Sequence, residues 1–246
     1  MTPPDGYVRA RAGGAHVVAR RPLLAGVEAA LRTGTLYEYA ARHPERRALA
    51  GRAPAYRVPL PDDGPPVVVR HSRHGGLLAP LTGDLFIAPT RAPRELAASI
   101  RLAAAGVPTP AIAAYVVYPV IPGLARADVA TLALDGEDLA ARLARPDRGQ
   151  REAAWRATHA LLARLAAAGA RHSDLNMKNV LVVDAPGGGV EALVLDVDVV
   201  VFGVPGDPAV ARANARRLLR SARKWRDQRG LRLDDGALAV LAGAAA

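Results

Sequence analysis

The 246-residue chain contains no cysteine, which excludes a disulfide framework, a thiolate metal site and a cysteine nucleophile. Aromatic residues make up only 4% of the sequence, too few for a platform on which nucleic-acid bases stack. No run approaches the roughly 20 apolar residues that a membrane-spanning helix needs. The first residues also lack the basic and apolar stretches of a signal peptide, so neither feature is expected.

Lysine is scarce as well, because Lys178 and Lys224 are the only two among 33 basic residues and all the others are arginine. With 23 acidic residues, the formal net charge at pH 7 is +10. Such a charge favours an acidic partner, whether anionic lipid, nucleic acid or a phosphorylated or carboxylated substrate. With so few aromatic residues, we expect no nucleic acid and favour an anionic lipid or substrate.

Hydrophobic patterning predicts a strand-rich first half and a helix-rich second half. The predicted strands lie on either side of a turn at Gly51 and at Val67–Arg70, Ala114–Val120, Asp128–Leu134, Val180–Val183 and Ala192–Leu195. The predicted helices are Val27–Leu31, Ala92–Ala105, Glu137–Leu143, Arg151–Ala168, Pro208–Gln228 and Asp235–Leu241. The pattern predicts a two-lobed α+β protein, with an N-terminal lobe over residues 1–130 and a C-terminal lobe over residues 131–246.

The stretch between a predicted helix and a β-branched strand is the most informative; it reads His172-Ser173-Asp174-Leu175-Asn176-Met177-Lys178-Asn179. A second hydrophobic strand further on ends in Asp196 and Asp198. Phosphoryl transfer needs a carboxylate that accepts the proton of the attacking hydroxyl, together with oxygen ligands for Mg²⁺. Asp174 suits the first task, and Asn179 and Asp196 suit the second. The alternative is that these side chains only cap loops and turns.

A cation on the phosphates is the remaining requirement, which protein kinases meet with a strand lysine paired to a helix glutamate. No lysine precedes residue 178, but Arg70 ends a predicted strand, and its guanidinium can bind phosphate oxygens bidentately. Glu95, near the start of the next helix, is its predicted partner. The alternative is a surface arginine and a glutamate favoured by the helix dipole.

Together these motifs resemble the protein-kinase-like superfamily, with His-x-Asp-Leu-x-x-x-x-Asn followed by an aspartate at a strand end. Within it, the chain is similar to the 3-deoxy-D-manno-octulosonic acid (Kdo) kinases of the lipopolysaccharide core. Five further stretches carry that resemblance: Arg70-His71-Ser72-Arg73-His74-Gly75-Gly76-Leu77, Arg94-Glu95-Leu96, Ala105-Gly106-Val107-Pro108-Thr109-Pro110, Leu195-Asp196-Val197-Asp198 and Asn214-Ala215-Arg216-Arg217-Leu218-Leu219-Arg220-Ser221. The sequence departs from the family pattern at Ser72, where an aromatic residue is usual, at His74, where an arginine is usual, and at Val197, where the family has Phe.

The resemblance implies a bilobal protein-kinase-like fold, with an antiparallel sheet and one helix in the N-terminal lobe and a mainly helical C-terminal lobe. It implies an enzyme that uses ATP and Mg²⁺ to phosphorylate Kdo on lipid A, an anionic glycolipid, at the inner face of the cytoplasmic membrane. Asp174 and Asn179 are then catalytic, while Arg70, Glu95 and Gly51 bind the nucleotide. The metal ligands are expected to be Asn179, Asp196 and Asp198.

Other interpretations stay open from the sequence. The acceptor could be heptose, an aminoglycoside or a protein, or the chain could be a pseudokinase or a basic module that binds membranes or nucleic acid. We expect structural roles for His71, His74 and His172, and adenine contact by the backbone of residues 128–131. Four arginines share one face of the predicted helix Pro208–Gln228, and this face is either solvated or binds lipid headgroups or substrate phosphates: Arg212, Arg216, Arg220 and Arg223.

Overall fold

A computed structural model of the chain describes residues 3–49, 54–72, 84–185, 187–233 and 235–245. The chain forms two compact units. The first unit is Met1–Ala97 with Ala111–Ala133, and the second is Ala98–Pro110 with Leu134–Ala246. Residues 98–110 belong to the second unit because Leu102 and Val107 are buried in its core. The units are therefore not the two contiguous segments predicted from the sequence.

The first unit is built on an antiparallel sheet with eight strands in the described residues. The strands are β1 (Tyr7–Ala12), β2 (Ala15–Arg20), β3 (Arg47–Leu49), β4 (Ala55–Pro59), β5 (Pro66–His71), β6 (Phe86–Ile87), β7 (Ile112–Ile121) and β8 (Leu124–Leu132). Their spatial order is β1-β2-β7-β8-β5-β4-β3, and the short β6 pairs with β8. Glycine 123, at φ +83°, allows the tight turn between the two longest strands, β7 and β8.

Two helices, α1 (Leu24–Leu31) and α2 (Leu36–Arg42), pack against this sheet and share its core. Helix α2 is not among the predicted helices, although the sequence signals its start. The Thr35 hydroxyl accepts a hydrogen bond from the backbone N–H of Glu38 at 3.1 Å, and the Glu38 carboxylate accepts one from the N–H of Thr35 at 2.9 Å. This reciprocal capping box satisfies two amides that the first turn of a helix leaves unpaired.

Helices dominate the second unit, where two small antiparallel sheets join them. The remaining helices are α3 (Ala92–Ala104), α4 (Leu139–Ala144), α5 (Arg148–Ala167), α6 (Pro208–Arg229) and α7 (Asp235–Ala245), and the remaining strands are β9 (Gly136–Asp138), β10 (Ala170–His172), β11 (Val180–Asp184), β12 (Val190–Val194) and β13 (Val200–Phe202). The strands form β12-β11-β9 and β10-β13. No described helix has both the length and the apolar character of a membrane span.

Two predictions are wrong in detail. The helix expected at Glu137–Leu143 begins only at Leu139, because Glu137 belongs to β9 and the Asp138 carboxylate caps the helix through the N–H of Ala141 at 3.0 Å. The backbone expected to join the lobes, residues 128–131, lies inside β8 and is paired on both sides, with β5 and with β7. A backbone that is hydrogen-bonded within a sheet on both sides is not a linker.

Candidate active site

The loop between β10 and β11 contains Asp174 and is fixed by its own asparagines. The backbone carbonyl of Asp174 accepts hydrogen bonds from the side-chain amides of Asn176 and Asn179, each at 2.9 Å. The side-chain oxygen Oδ1 of Asn176 in turn accepts from the N–H of Lys178 at 2.9 Å. The peptide that carries the predicted base is therefore held by two side chains of the same loop. This role of Asn176 was not predicted from the sequence.

His172 connects this loop to the segment that carries Asp196. Its Nδ1 accepts a hydrogen bond from the N–H of Asp174 at 3.2 Å, and its Nε2 lies 2.9 Å from the carbonyl oxygen of Leu195. Because a carbonyl only accepts, the proton of the ring is on Nε2. Both ring nitrogens are thus occupied by backbone groups, and the ring is fully buried. This agrees with the predicted structural role.

Asp196 directly follows this junction. The N–H of Leu195 donates to the backbone carbonyl of Asn179 at 2.9 Å, so both sides of residue 195 are tied to the loop. Asp196 itself has φ +53° and ψ +51°, in the left-handed region. That conformation costs a non-glycine residue about 1 kcal/mol or more, and such strain is concentrated at functional sites. The loop and the strand end are therefore held side by side at Asn179 and Leu195.

Helix α6 supports the loop through two side chains that the sequence analysis left without a role. Asn214, fully buried, accepts from the N–H of His172 at 3.0 Å and donates to the carbonyl of Ala170 at 2.9 Å. Ser221 accepts from the N–H of Met177 at 3.1 Å. The two residues are seven apart, which places them on one face of the helix. That spacing, in the segment Asn214–Ser221, is the signal from which the pair could have been found.

In the first unit, the predicted ion pair between Arg70 and Glu95 is present, with Arg70 Nη2 donating to Glu95 Oε1. Arg70 is at the end of β5 and Glu95 is in the first turn of α3. The Glu95 side chain is only 6% exposed. A carboxylate so deeply buried requires a cationic partner, so the arginine replaces the lysine usual at such a position without loss of the ion pair.

His71, next to Arg70, lies between two carboxylates. Its Nδ1 is 2.6 Å from Asp128 Oδ1 and its Nε2 is 2.9 Å from Asp84 Oδ2. The hydrogen bond to Asp128 is the main cause that raises the pKa of His71 above its ordinary value. Burial raises the pKa of Asp84, but hydrogen bonds from Arg126 and His71 outweigh it and leave the pKa lowered. The network explains the structural role that we expected for His71.

Asp128 is fully buried at the centre of this network. Its Oδ2 accepts from the Tyr118 hydroxyl and from the N–H of Tyr37, each at 2.9 Å. The Tyr118 hydroxyl itself accepts from the N–H of Leu36 at 2.8 Å. The start of α2 is thereby bound to strands β7 and β8. Nothing in the local sequence indicates the contacts of Leu36 with Tyr118 and of Tyr37 with Asp128, which join residues 82 and 91 positions apart.

The donor set around Asn179 and Asp196 fits a hard divalent cation. Carboxylate and amide oxygens are the ligands that Mg²⁺ accepts in proteins, and the side-chain nitrogen of Asn179 is already engaged with Asp174, which leaves its oxygen to serve as a ligand. Among the described residues, no three His, Cys, Asp or Glu side chains are grouped to share a metal ion. A metal ion at this site would therefore need the side-chain oxygen of Asn179 as a ligand in addition to the carboxylates.

Asp198, the third predicted metal ligand, is half-buried in the short 3₁₀ turn Val197–Val199, two residues after Asp196. Gly51 and His74 lie outside the described residues, so the predictions for them stay predictions. The exposed residues along Arg216–Lys224 of α6 are all basic.

The chain is similar to a known protein family and to solved structures. A family model described as "Lipopolysaccharide kinase (Kdo/WaaP) family" matches residues 64–235. Among solved structures, the chain is similar to WaaP in complex with acyl carrier protein, with a TM-score of 0.52 and 18% identity, covering 93% of this chain and 97% of that chain. It is also similar to the Rio2 kinase in an ADP/Mg²⁺-phosphoaspartate complex from Chaetomium thermophilum, with a TM-score of 0.49 and 16% identity, covering 96% of this chain and 71% of that chain. A search of curated proteins gave no match. The predicted α+β protein-kinase-like fold is confirmed.

Proposed function

Because this chain belongs to the lipopolysaccharide kinase (Kdo/WaaP) family, we propose that it transfers a phosphoryl group from ATP to a sugar hydroxyl of the lipopolysaccharide inner core. The acceptor that we propose is Kdo attached to lipid A. Family membership supports phosphoryl transfer with ATP and a divalent metal; the acceptor follows from the resemblance of the motifs between Arg70 and Ser221. We further propose that the chain works at the inner face of the cytoplasmic membrane, where a lipid-linked sugar is accessible.

One observation carries the proposal: the loop with Asp174 and the strand end with Asp196 are hydrogen-bonded to each other through His172, Asn179 and Leu195. Phosphoryl transfer demands little covalent chemistry from the protein, so precise positioning accounts for most of the catalysis. An arrangement that fixes the backbone on both sides of Leu195 and at Asp174 meets that requirement.

In the proposed reaction, Asp174 orients the acceptor hydroxyl and accepts its proton. The hydroxyl oxygen bonds to the γ-phosphorus while the bond to the bridging oxygen of ADP breaks. Asn179 and Asp196 would hold Mg²⁺, with Asp198 as a further ligand, and the ion would supply charge neutralisation on the phosphates. Arg70, kept in place by Glu95, is proposed to contact phosphate oxygens of the nucleotide, and Gly51 to belong to the loop that binds it.

The test is incubation with ATP, Mg²⁺ and Kdo-lipid A, followed by mass spectrometry for one added phosphate. We expect Asp174→Asn to lower the rate by roughly a hundredfold to ten-thousandfold, because it removes the proton acceptor while keeping the shape of the side chain. Asp62→Asn is the matched control, since Asp62 is an exposed turn residue at φ +58°, a conformation that asparagine also adopts.

A wild-type rate in Asp174→Asn would remove Asp174 from the chemistry. A parallel reaction with a heptose-containing acceptor separates the two sugar substrates. Phosphate on heptose but not on Kdo would correct the acceptor and leave the phosphoryl transfer in place. Absence of transfer to either sugar, with the wild-type chain folded and ATP bound, would reject the proposed function.

A further inference from the structure

Two contiguous grooves lie on one face of the first unit, along β1, β2 and β7 and beside the start of α3. The first has a volume of about 540 Å³, and its polar lining includes Arg9, Arg11, His16 and Thr90. The second, of about 440 Å³, is lined mainly by apolar residues of the turn between β7 and β8. His16 is common to both, and none of their lining residues is acidic. A cationic groove thus continues directly into an apolar one.

The cationic groove is built on the hairpin of β1 and β2. Arg9 and Arg11 are two residues apart on β1 and so point to the same face of the sheet, and Arg11 pairs in register with His16 of β2. Both arginines are exposed, and neither forms an ion pair with a described residue. Cationic groups clustered without a counter-charge attract anions. The groove therefore has the charge to bind phosphate groups.

Thr90 adds a hydrogen-bond donor to this groove. The residue is 2% exposed, and its hydroxyl has no hydrogen-bond partner among the described residues. A buried hydroxyl without a partner carries a free-energy cost, which an acceptor oxygen of a ligand would remove. The unpaired hydroxyl is an observation independent of the arginines, and it favours a ligand that bears anionic oxygens.

Large aliphatic side chains protrude around the second groove. Val120 and Ile121 belong to its lining and are exposed by 43% and 57%, and Ile87, next to the lining residue Ala88, is exposed by 81%. They are held on a hydrogen-bonded frame, because Ile87 pairs with Leu124 across β6 and β8, and the N–H of Ala88 donates to the carbonyl of Gly123 at 3.0 Å. Clustered exposed aliphatic side chains beside basic ones mark an interaction surface.

We propose that this face, the lipid-docking face, binds an anionic lipid bilayer. Ile87, Val120 and Ile121 enter the acyl boundary, while Arg9 and Arg11 contact the phosphates of the headgroups. A bilayer fits both grooves at once, since its surface places anionic oxygens directly beside hydrocarbon. The inference deepens the proposed function, on which it rests for the identity of the membrane, and it does not involve the catalytic loop.

The exposed basic residues of α6 are the competing surface. Between Arg216 and Lys224 no exposed residue is apolar, so this helix offers charge without a group that could insert. Binding by α6 would therefore depend on lipid charge alone, whereas the lipid-docking face adds burial of aliphatic side chains. This difference separates the two surfaces experimentally.

The first experiment is co-sedimentation of the whole chain, without ATP, with vesicles of phosphatidylcholine plus phosphatidylglycerol or of phosphatidylcholine alone. We expect binding to the anionic vesicles, weakened by salt. Arg9→Ala with Arg11→Ala should weaken it about 30-fold, and Ile87→Asp with Ile121→Asp by about tenfold or more. The controls are Arg220→Ala with Arg223→Ala on α6, and Val204→Asp, which changes a valine that is 70% exposed in the second unit.

The second experiment uses the absence of cysteine. An environment-sensitive fluorophore on Ile121→Cys should shift its emission to the blue when anionic vesicles are added, whereas the same label on Val204→Cys should not. Loss of binding only in the α6 variant, a shift at neither site, or dimerisation through this face without vesicle binding would overturn the proposal. Vesicle binding without phosphoryl transfer would reject only the proposed function; transfer to detergent-dispersed acceptor without vesicle binding would reject only the lipid-docking face.

Discussion

At the scale of single residues, the contacts of His71 tie the protonation of one imidazole to the packing of the first unit. Asp128 is fully buried, and a buried carboxylate without a cation is strongly destabilising. His71 supplies the cation when both ring nitrogens carry protons, because each then donates to a carboxylate. Burial and the neighbouring charge of Asp128 also raise the pKa of Tyr118, so the phenol stays a donor to Asp128.

The stability of the protein should therefore fall as the pH rises above 6.5 and through the folded-state pKa of His71. The pKa of His71 is raised above its ordinary value of 6.5, so its contribution to the free energy of unfolding is complete below that pH. It is lost as the pH rises through the folded-state pKa, with a slope of up to about 1.4 kcal/mol per pH unit. Denaturant unfolding at a series of pH values measures this slope.

The variant His71→Gln should unfold more easily at low pH and lack this part of the slope. His16→Gln, which changes an exposed histidine outside this network, is the control and should keep the slope. An identical pH profile for His71→Gln and the wild type would show that the imidazole is not the source.

At the scale of elements, α6 supports the loop that carries Asp174. Asn214→Ala leaves the N–H of His172 and the carbonyl of Ala170 unpaired in a buried environment, and we expect a loss of about 2 kcal/mol or more. Ser221→Ala removes one acceptor and should cost about 1 kcal/mol. Denaturant unfolding gives both values, and the phosphoryl-transfer rate should fall in each variant.

Arg220→Ala, an exposed change one position before Ser221, is the control and should alter the stability by no more than about 0.5 kcal/mol. Equal stabilities for Asn214→Ala and Arg220→Ala would contradict the support that we assign to the helix.

The end of α5 depends on close backbone contact. Gly169 has φ +65°, its carbonyl accepts from the N–H of Gly203 at 2.8 Å, and a Cβ at this position would lie 2.6 Å from the carbonyl oxygen of Gly203. Gly230, after α6, has φ +67° but no atom within 4 Å of such a Cβ. Gly230→Ala should therefore cost only the left-handed conformation, about 1 kcal/mol.

Gly169→Ala should cost about 1–3 kcal/mol more than Gly230→Ala, because the backbone of the neighbouring segment must move. The pair of variants separates steric contact from conformational strain in one denaturation experiment. Similar losses for both would mean that the contact with Gly203 relaxes freely.

At the scale of the whole molecule, the sequence predicts the long elements and the order of the catalytic motifs. The helices expected at Ala92–Ala105 and Pro208–Gln228 end within one residue of those observed, because their apolar spacing and their terminal glycines are local signals. The ion pair of Arg70 with Glu95 was predicted because a kinase needs a cation on the phosphates, and these two residues stand at the expected strand end and helix start.

The rest depends on contacts between distant residues. Strands β10 and β13 have three residues each and exist by pairing with each other, with Arg171 opposite Val201, 30 positions further along the chain. The partners of Asp128 and the left-handed conformation of Asp196 likewise result from tertiary packing, which no sequence window contains. For the same reason, the sequence could not predict that residues 98–110 belong to the second unit.

Because residues 98–110 belong to the second unit, the gene is restricted in how it can recombine. The polypeptide changes from one unit to the other after residues 97, 110 and 133, so neither unit is encoded by an uninterrupted stretch of DNA. A break after residue 133 would deprive the downstream product of Leu102 and Val107. Recombination therefore cannot exchange either half of this kinase as a cassette, and the two halves must be inherited together.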